Sequence, residues 1–206
     1  MPYLSSQLDL DYCPHCGRAN PTLNRKSDFF ETKDHYGICE RIWGIYICSS
    51  CGGIITAGAF KESNNPINCQ TRWIFPDIPI VSDSIPEKSR EFLRQAQNSL
   101  HAPSGAIMLC ASALDAMLKV KGYKEGTLYQ RIDKAANEHL ITDEMSRWAH
   151  QVRLDANDER HAEEEAPIPT QEDAKLTFDF AMAFAQYLFV LPAMVSRGIS
   201  ASETKD

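Results

Sequence analysis

Two groups of residues carry chemistry by their type and spacing. One is "CPHCG" at Cys13 and Cys16 together with "CSSCG" at Cys48 and Cys51. The other is "RLDANDERH", residues 153 to 161, in which Arg153, Asn157 and His161 stand at i, i+4 and i+8. Read as helix, that spacing puts all three on one face. Four thiolates can close a tetrahedral metal site. A guanidinium, a neutral amide and an imidazole on one face are the parts of a site that handles a phosphodiester. The other positions of that segment are mostly acids.

Two CxxC pairs, each followed by Gly, have the form of zinc knuckles. The Gly permits the tight turn that aims backbone amides at the thiolates. Thirty-one residues lie between Cys16 and Cys48, a gap that suits a ribbon with a loop between its strands. With four thiolates there is no open position for water, so the expected cofactor is one structural Zn2+ per chain. A redox CxxC opens a helix after a strand, whereas these pairs sit in Gly-flanked turns. His15, inside its knuckle, is expected to point outward. Cys39, Cys69 and Cys110 have no paired spacing and read as buried or half-buried apolar thiols.

Those sites need a scaffold, and the 206 residues suffice for one mid-sized domain or two small ones. Apolar residues make up 43% and charged residues 24%, the balance of a soluble globular protein. The net charge of −7 is uneven: seven basic against eight acidic residues up to position 78, fourteen against twenty beyond. An acidic second half excludes a broad nucleic-acid surface but leaves room for a small basic site. "MPYLSSQLDLDY" has neither the basic start nor the apolar core of a secretory signal, so a reducing cytoplasm is expected, where thiols bind metal and disulfides do not form. The most apolar run, residues 180 to 195, is interrupted by Gln186 and Pro192. It predicts a buried core helix and no membrane partner.

Up to about residue 78 the pattern is strand-like. "YGICERIWGIYIC" (36 to 48), "GGIITAGAF" (52 to 60) and "CQTRWIF" (69 to 75) are short, rich in β-branched and aromatic residues, and bounded by turn formers. "KESNNPIN" reads as a loop and "PDIPIVSDSIP" as a linker. The period then becomes helical. Ser84 and Glu87 have capping-box spacing before the first helix. Ile107, Cys110, Leu114 and Met117 or Leu118 form one stripe, and Gly122 ends that helix. Acids after Thr142 suit a helix start, and Thr170 with Asp173 caps the last and longest helix. The Trp148 and Tyr187 rings read as core. The fold class is α+β: a small β-rich ribbon over residues 1–78, then an all-α bundle of about five helices over 79–206.

The ribbon, the "WIFPDIP" bridge, the bundle and the R-x-x-x-N-x-x-x-H segment together resemble the domain of unknown function 4145 family. That family is similar to HEPN helical bundles, several of which are metal-independent ribonucleases in defence and toxin systems. Their sites carry an Arg and a His four to six residues apart, often at a dimer interface. The resemblance implies RNA binding or cleavage, with His161 accepting and returning a proton, Arg153 holding phosphoryl oxygens and Asn157 orienting the hydroxyl or imidazole. Seven residues separate Arg153 from His161, wider than that motif, and place them about 12 Å apart along a straight helix. The structural reading stays open beside it: Arg153 paired with a carboxylate in the bundle, Asn157 capping a helix end, His161 closing the last turn. The expected partners are a second copy through the helical half, RNA, or a defence or restriction protein onto which a non-catalytic module docks. The dimer expectation comes from the last helix, which is apolar almost all round.

Overall fold

The structure, a computed structural model, describes residues 2–62, 67, 69–77, 81–161 and 167–203, with Glu203 by its backbone only. Most of the loop read at residues 61–68, three linker positions and the acids Glu163 to Glu165 lie outside the described residues. The chain forms two compact units, Met1–Pro79 and Ile80–Asp206. The first is an antiparallel sheet and the second a bundle of helices, an α+β arrangement.

In the first unit six strands form one sheet: β1 (Gln7–Leu8), β2 (Leu23–Arg25), β3 (Phe30–Thr32), β4 (Arg41–Cys48), β5 (Ile54–Phe60) and β6 (Trp73–Phe75). The spatial order is β1-β2-β4-β5-β6, and β3 shares an edge of β4 with β2: β3 pairs with Arg41–Trp43, β2 with Tyr46–Cys48. Strand β4 alternates without a break. Ile42, Tyr46 and Cys48 are buried on one face, while Arg41, Trp43, Ile45 and Ile47 occupy the other. The inner face, with Leu4, Leu8, Leu23 and Ile55, makes the small core of this unit. The three short strands β1 to β3 have too few residues to show a period, and "CQTRWIF" yields only its last three as strand.

The second unit contains α1 (Glu87–Asn98), α2 (Pro103–Val120), α3 (Leu128–Asn137), α4 (Asp143–His161) and a last helical rod. The rod is α5 (Gln171–Ala185), a π-helical turn over Gln186–Val190, and α6 (Leu191–Glu203), so the described residues of the bundle form five helices, counting the rod as one. Helix α2 is the axis, its stripe of Ile107, Cys110, Leu114, Met117 and Leu118 wholly or almost wholly buried. Gly122 follows α2 with φ +104°, and Thr170 and Asp173 form the capping box of α5. A second capping box, Thr127 with Gln130, opens α3. Helix α1 departs from expectation: it begins at Glu87 after Pro86, with no side-chain cap, because Ser84 lies two positions before the N-cap.

The apolar run at 180–195 divides at the π turn. Phe180, Ala181, Phe184, Ala185 and Leu188 are buried, whereas Leu191, Met194 and Val195 are each about half exposed. Trp148 stacks on Phe180 with centroids 4.6 Å apart yet stays 47% exposed, and Tyr187 is 40% exposed, so neither ring is core. By length and composition two helices, Pro103–Val120 and Gln171–Ser202, are apolar enough to cross a bilayer. The first of them is the packed axis of the bundle.

Candidate metal centre and cationic cleft

Cys13, Cys16, Cys48 and Cys51 offer sulfur atoms that all lie within 4.8 Å of one another. Two matching turns bring them together. Gly17 N–H donates to Cys13 O at 2.9 Å, and Gly52 N–H donates to Cys48 O at 2.8 Å. Cys13 N–H donates to Arg18 O at 2.9 Å, and Cys48 N–H to Gly53 O at 3.0 Å. Gly17 and Gly52 adopt φ +66° and +73°, the left-handed conformation in which a side chain is strained. The Gly after each CxxC is thus what closes its turn. The bridge between Tyr12 and Ala19 closes the first knuckle, and the pairing of Leu23 with Cys48 and the hydrogen bond from Arg18 Nη1 to Ser50 Oγ at 3.0 Å join it to the second.

Backbone amides reach the sulfurs, while burial opposes ionisation of Cys13, Cys48 and Cys51. Gly53 N–H donates to Cys51 Sγ at 3.4 Å, and the Cys13 and Cys51 sulfurs are 3.9 Å apart. Burial pushes the Cys13 thiol up to about 12. Burial also opposes ionisation of Cys48, but the Cys51 and Ser50 amides and the neighbouring sulfurs outweigh it and lower that thiol to about 7. His15 is exposed, yet its Nε2 lies 2.8 Å from the Ile54 carbonyl, tying one knuckle to the strand that follows the other. Cys69 and Cys110 are buried as expected, and burial raises Cys110 to about 12.

The helical unit contains a cavity of about 960 Å³ between α1, α2, α3 and α4. Its walls carry Lys88, Lys119, Lys124, Arg131, Arg153 and Arg160, against a single acid, Asp115. Asp115 is spent on its neighbours: Arg131 Nη1 donates to Oδ1 at 2.6 Å and Lys119 Nζ to Oδ2 at 2.5 Å. Arg131 Nη2 also donates to the carbonyls of Lys124 (3.1 Å) and Gly126 (2.6 Å), which fastens the turn before α3. Arg153 is different. Its guanidinium lies over the Tyr129 ring at 5.4 Å, and its Nε is shielded from water without an acceptor. Lys88, Lys124, Arg153 and Arg160 make no ion pair among the described residues. Phe92, Val120, Leu128 and Tyr129 supply apolar wall. The arrangement can bind an anion that also carries a flat or apolar group.

Residues 91–201 match the family model described as "Domain of unknown function (DUF4145)", more than half of the chain. The chain belongs to the DUF4145 family. Neither a curated protein nor a solved structure matches it.

The DUF4145 match takes in all of the cleft's lining except Lys88. Of the three residues on the α4 face, Arg153 and Asn157 line the cleft. His161 does not; it is the exposed last residue of α4. The carboxylate pairing offered as a structural role for Arg153 does not occur among the described residues, and Asn157 lies inside the helix and caps no end. Sequence reasoning passed over Arg160, although it stands at i+7 from Arg153 and so on the same stripe. The other cations come from α1, α2, α3 and, for Lys124, the connection between α2 and α3, and no local spacing signals that they converge. The segment's own acids turn elsewhere: Asp155, Asp158 and Glu159 line no part of the cavity. Burial, then Asp158, Asp173 and Glu159, hold Asp155 above the usual carboxylate range, and Gln151 donates to it at 2.6 Å.

Proposed function

We propose that this DUF4145 protein binds RNA through the cationic cleft of a HEPN-like bundle, and that its β unit is a structural zinc ribbon. One observation carries the reading: a protein of net charge −7 gathers six cations and one internally neutralised acid around a single cavity. Such a concentration raises the local potential for a phosphate backbone despite the overall charge. Arg153 has the planar fork that takes two phosphoryl oxygens, and the Tyr129 ring beneath it holds the fork in place. Asn157 and Arg160, on the next turns of α4, supply a neutral donor and a second guanidinium.

Zinc is the metal that the four-sulfur cluster fits best. A tetrahedral ion with bonds of about 2.3 Å separates its sulfurs by about 3.8 Å, and the Cys13–Cys51 distance is 3.9 Å. Bound there, zinc supplies cross-linking and no open coordination position. The residues of this chain do the rest: the knuckle amides favour thiolates, and Gly53 N–H stabilises Cys51.

Metal-independent cleavage with His161 as proton carrier is the extension of this reading, and a second copy in a cytoplasmic homodimer, paired through the exposed α6 side chains, is the assembly that would bring an imidazole to the cleft. The rival is a non-catalytic module docking onto a defence or restriction complex, favoured by the position of His161 outside the lining. The test is binding of a labelled single-stranded RNA by anisotropy, with digestion of the same RNA followed in a chelator that leaves the ribbon zinc in place. Arg153→Ala and Arg160→Ala should each weaken binding roughly tenfold or more and flatten its salt dependence. His161→Ala should abolish digestion and spare binding. RNA affinity unchanged in both arginine variants would sink the proposal.

A further inference from the structure

The β unit has two faces, and only one of them is needed for its core. The outer face should be polar, as antiparallel sheets with one packed side are. It carries rings instead. Trp43 on β4, Phe60 on β5 and Trp73 and Phe75 on β6 sit at outward positions of three adjacent strands, and none belongs to the buried cluster beneath. Phe60 and Phe75 are each nearly half exposed.

The rings are fixed in a layer. Trp43 and Trp73, partners of Gly58 from either side, stack with centroids 5.7 Å apart and planes 27° from parallel. Phe75 lies 6.4 Å from Trp43, and Phe60 meets the Trp73 edge at 4.9 Å. Gly58 makes this possible: a Cβ there would come within 2.4 Å of Trp43 Cε3, so the indole crosses β5 only where the side chain is missing. Trp43 Nε1 donates to Thr32 Oγ1 at 2.8 Å, which locks its orientation. The glycine and the hydrogen bond serve the ring layer and nothing in the core.

Among the described residues, the same face holds one cation without a counter-ion, Arg41. Lys33 and Lys61 are neutralised by Glu40 and Glu31. Arg41 lies over the Trp73 ring at 5.1 Å, makes no ion pair, and keeps its Nε shielded from water without an acceptor. Flat rings at successive strand positions next to a free guanidinium suit a chain whose units are flat rings joined by anions.

We infer that the outer sheet face of the β unit binds single-stranded nucleic acid by stacking its bases on Phe60, Trp73 and Phe75, with Arg41 taking a phosphate. The inference shares its ligand class with the proposed function, yet it concerns a different surface and can fail separately. The experiment uses the full chain carrying Trp148→Phe, so that only Trp43 and Trp73 report, titrated with a short oligouridylate or with its duplex with oligoadenylate. The single strand should quench the fluorescence strongly and the duplex little, because paired bases cannot stack on the sheet. Phe60→Ala and Phe75→Ala, at half-exposed positions outside the buried cluster, should each weaken the quenching interaction about tenfold without lowering the melt of the β unit. Arg153→Ala should leave the quenching intact. Absence of quenching, or unchanged affinity in both phenylalanine variants, overturns the inference. So does a change in sedimentation of those variants without a change in oligonucleotide affinity, which would make the face a contact between copies. Loss of quenching in Arg153→Ala alone would also overturn it, while supporting the cleft.

Discussion

The two units stand at opposite ends of how a small fold is held. Among the described residues the β unit buries thirteen apolar side chains, and four of them are cysteines, three from the metal cluster. The helical unit buries twenty-seven in one cluster built on α2, with Phe178, Phe184, Leu114 and Met117 at its centre. A unit of about eighty residues with so thin a core has little hydrophobic free energy to set against chain entropy. A metal held by its four clustered sulfurs would therefore carry much of its stability, while the bundle has a large core of its own. The four cysteines lie where a bound metal would cross-link a thin core, whereas the arginines of the cleft line a unit that packing already holds.

Metal removal is the sharpest way to break that contrast. Cys48→Ser, or strong chelation, should unfold the β unit while the helical unit keeps its circular-dichroism signal and its melt. Metal binding in comparable four-ligand sites is worth about 10 kcal/mol or more, beyond what this core can replace. A β unit that keeps its tryptophan fluorescence and dispersed amide signals without metal would refute the assignment of stability to the cluster.

The second effect is intermediate and falls on the bundle. Arg131→Ala removes three hydrogen bonds and leaves Asp115 with Lys119 alone. Because Asp115 is partly exposed, a loss of about 2 kcal/mol is expected, below the full cost of a broken buried pair. Arg153→Ala, which breaks no ion pair, should cost less than half of that. Urea melts of the two variants side by side decide the matter. Equal destabilisation would mean that Arg153 is a structural residue.

The smallest effect lies at the start of α5. The Thr170 hydroxyl and amide hold the Asp173 carboxyl below the usual carboxylate range. A lowered carboxylate adds stability at pH values above its ordinary value near 3.8, and that stability is lost as the pH falls through the lowered value. Asp173→Asn should therefore flatten the dependence of the bundle's Tm on pH between about 5 and 2 and leave the β unit unaffected. An unchanged slope would place the acid sensitivity elsewhere.

Much of this was legible from residue order alone. The CxxC-Gly repeats pointed to the four-cysteine cluster, because a knuckle is a local structure whose thiols, turn and amides lie within five residues. The alternation of Arg41–Cys48, the α2 stripe and the capping box at Thr170 were legible for the same reason: each repeats within a few residues at the period of its element. Short strands such as β1 and β3 were not, since two or three residues hold no period and only pairing with β4 makes them strands.

The cleft and the ring layer belonged to tertiary structure. Sequence put Arg153, Asn157 and His161 on one face, and two of the three line the cavity. Which of them meet a ligand depends on where α1, α2 and α3 lie around α4, and side-chain periodicity cannot give a crossing angle. Lys88, Lys119, Lys124 and Arg131 are far apart in the chain and converge only because the bundle closes. The exposed side chains of α6 follow likewise: its residues are as apolar as those of α5, yet Leu191, Met194, Val195 and Ile199 stay about half exposed. Trp43 and Trp73 are separated by thirty residues and become neighbours through the register of β4 and β6 with β5 across Gly58. Local chemistry fixes which residues can turn, cap or ligate, whereas the meeting of distant side chains is decided by packing, whose energy is shared among the whole core.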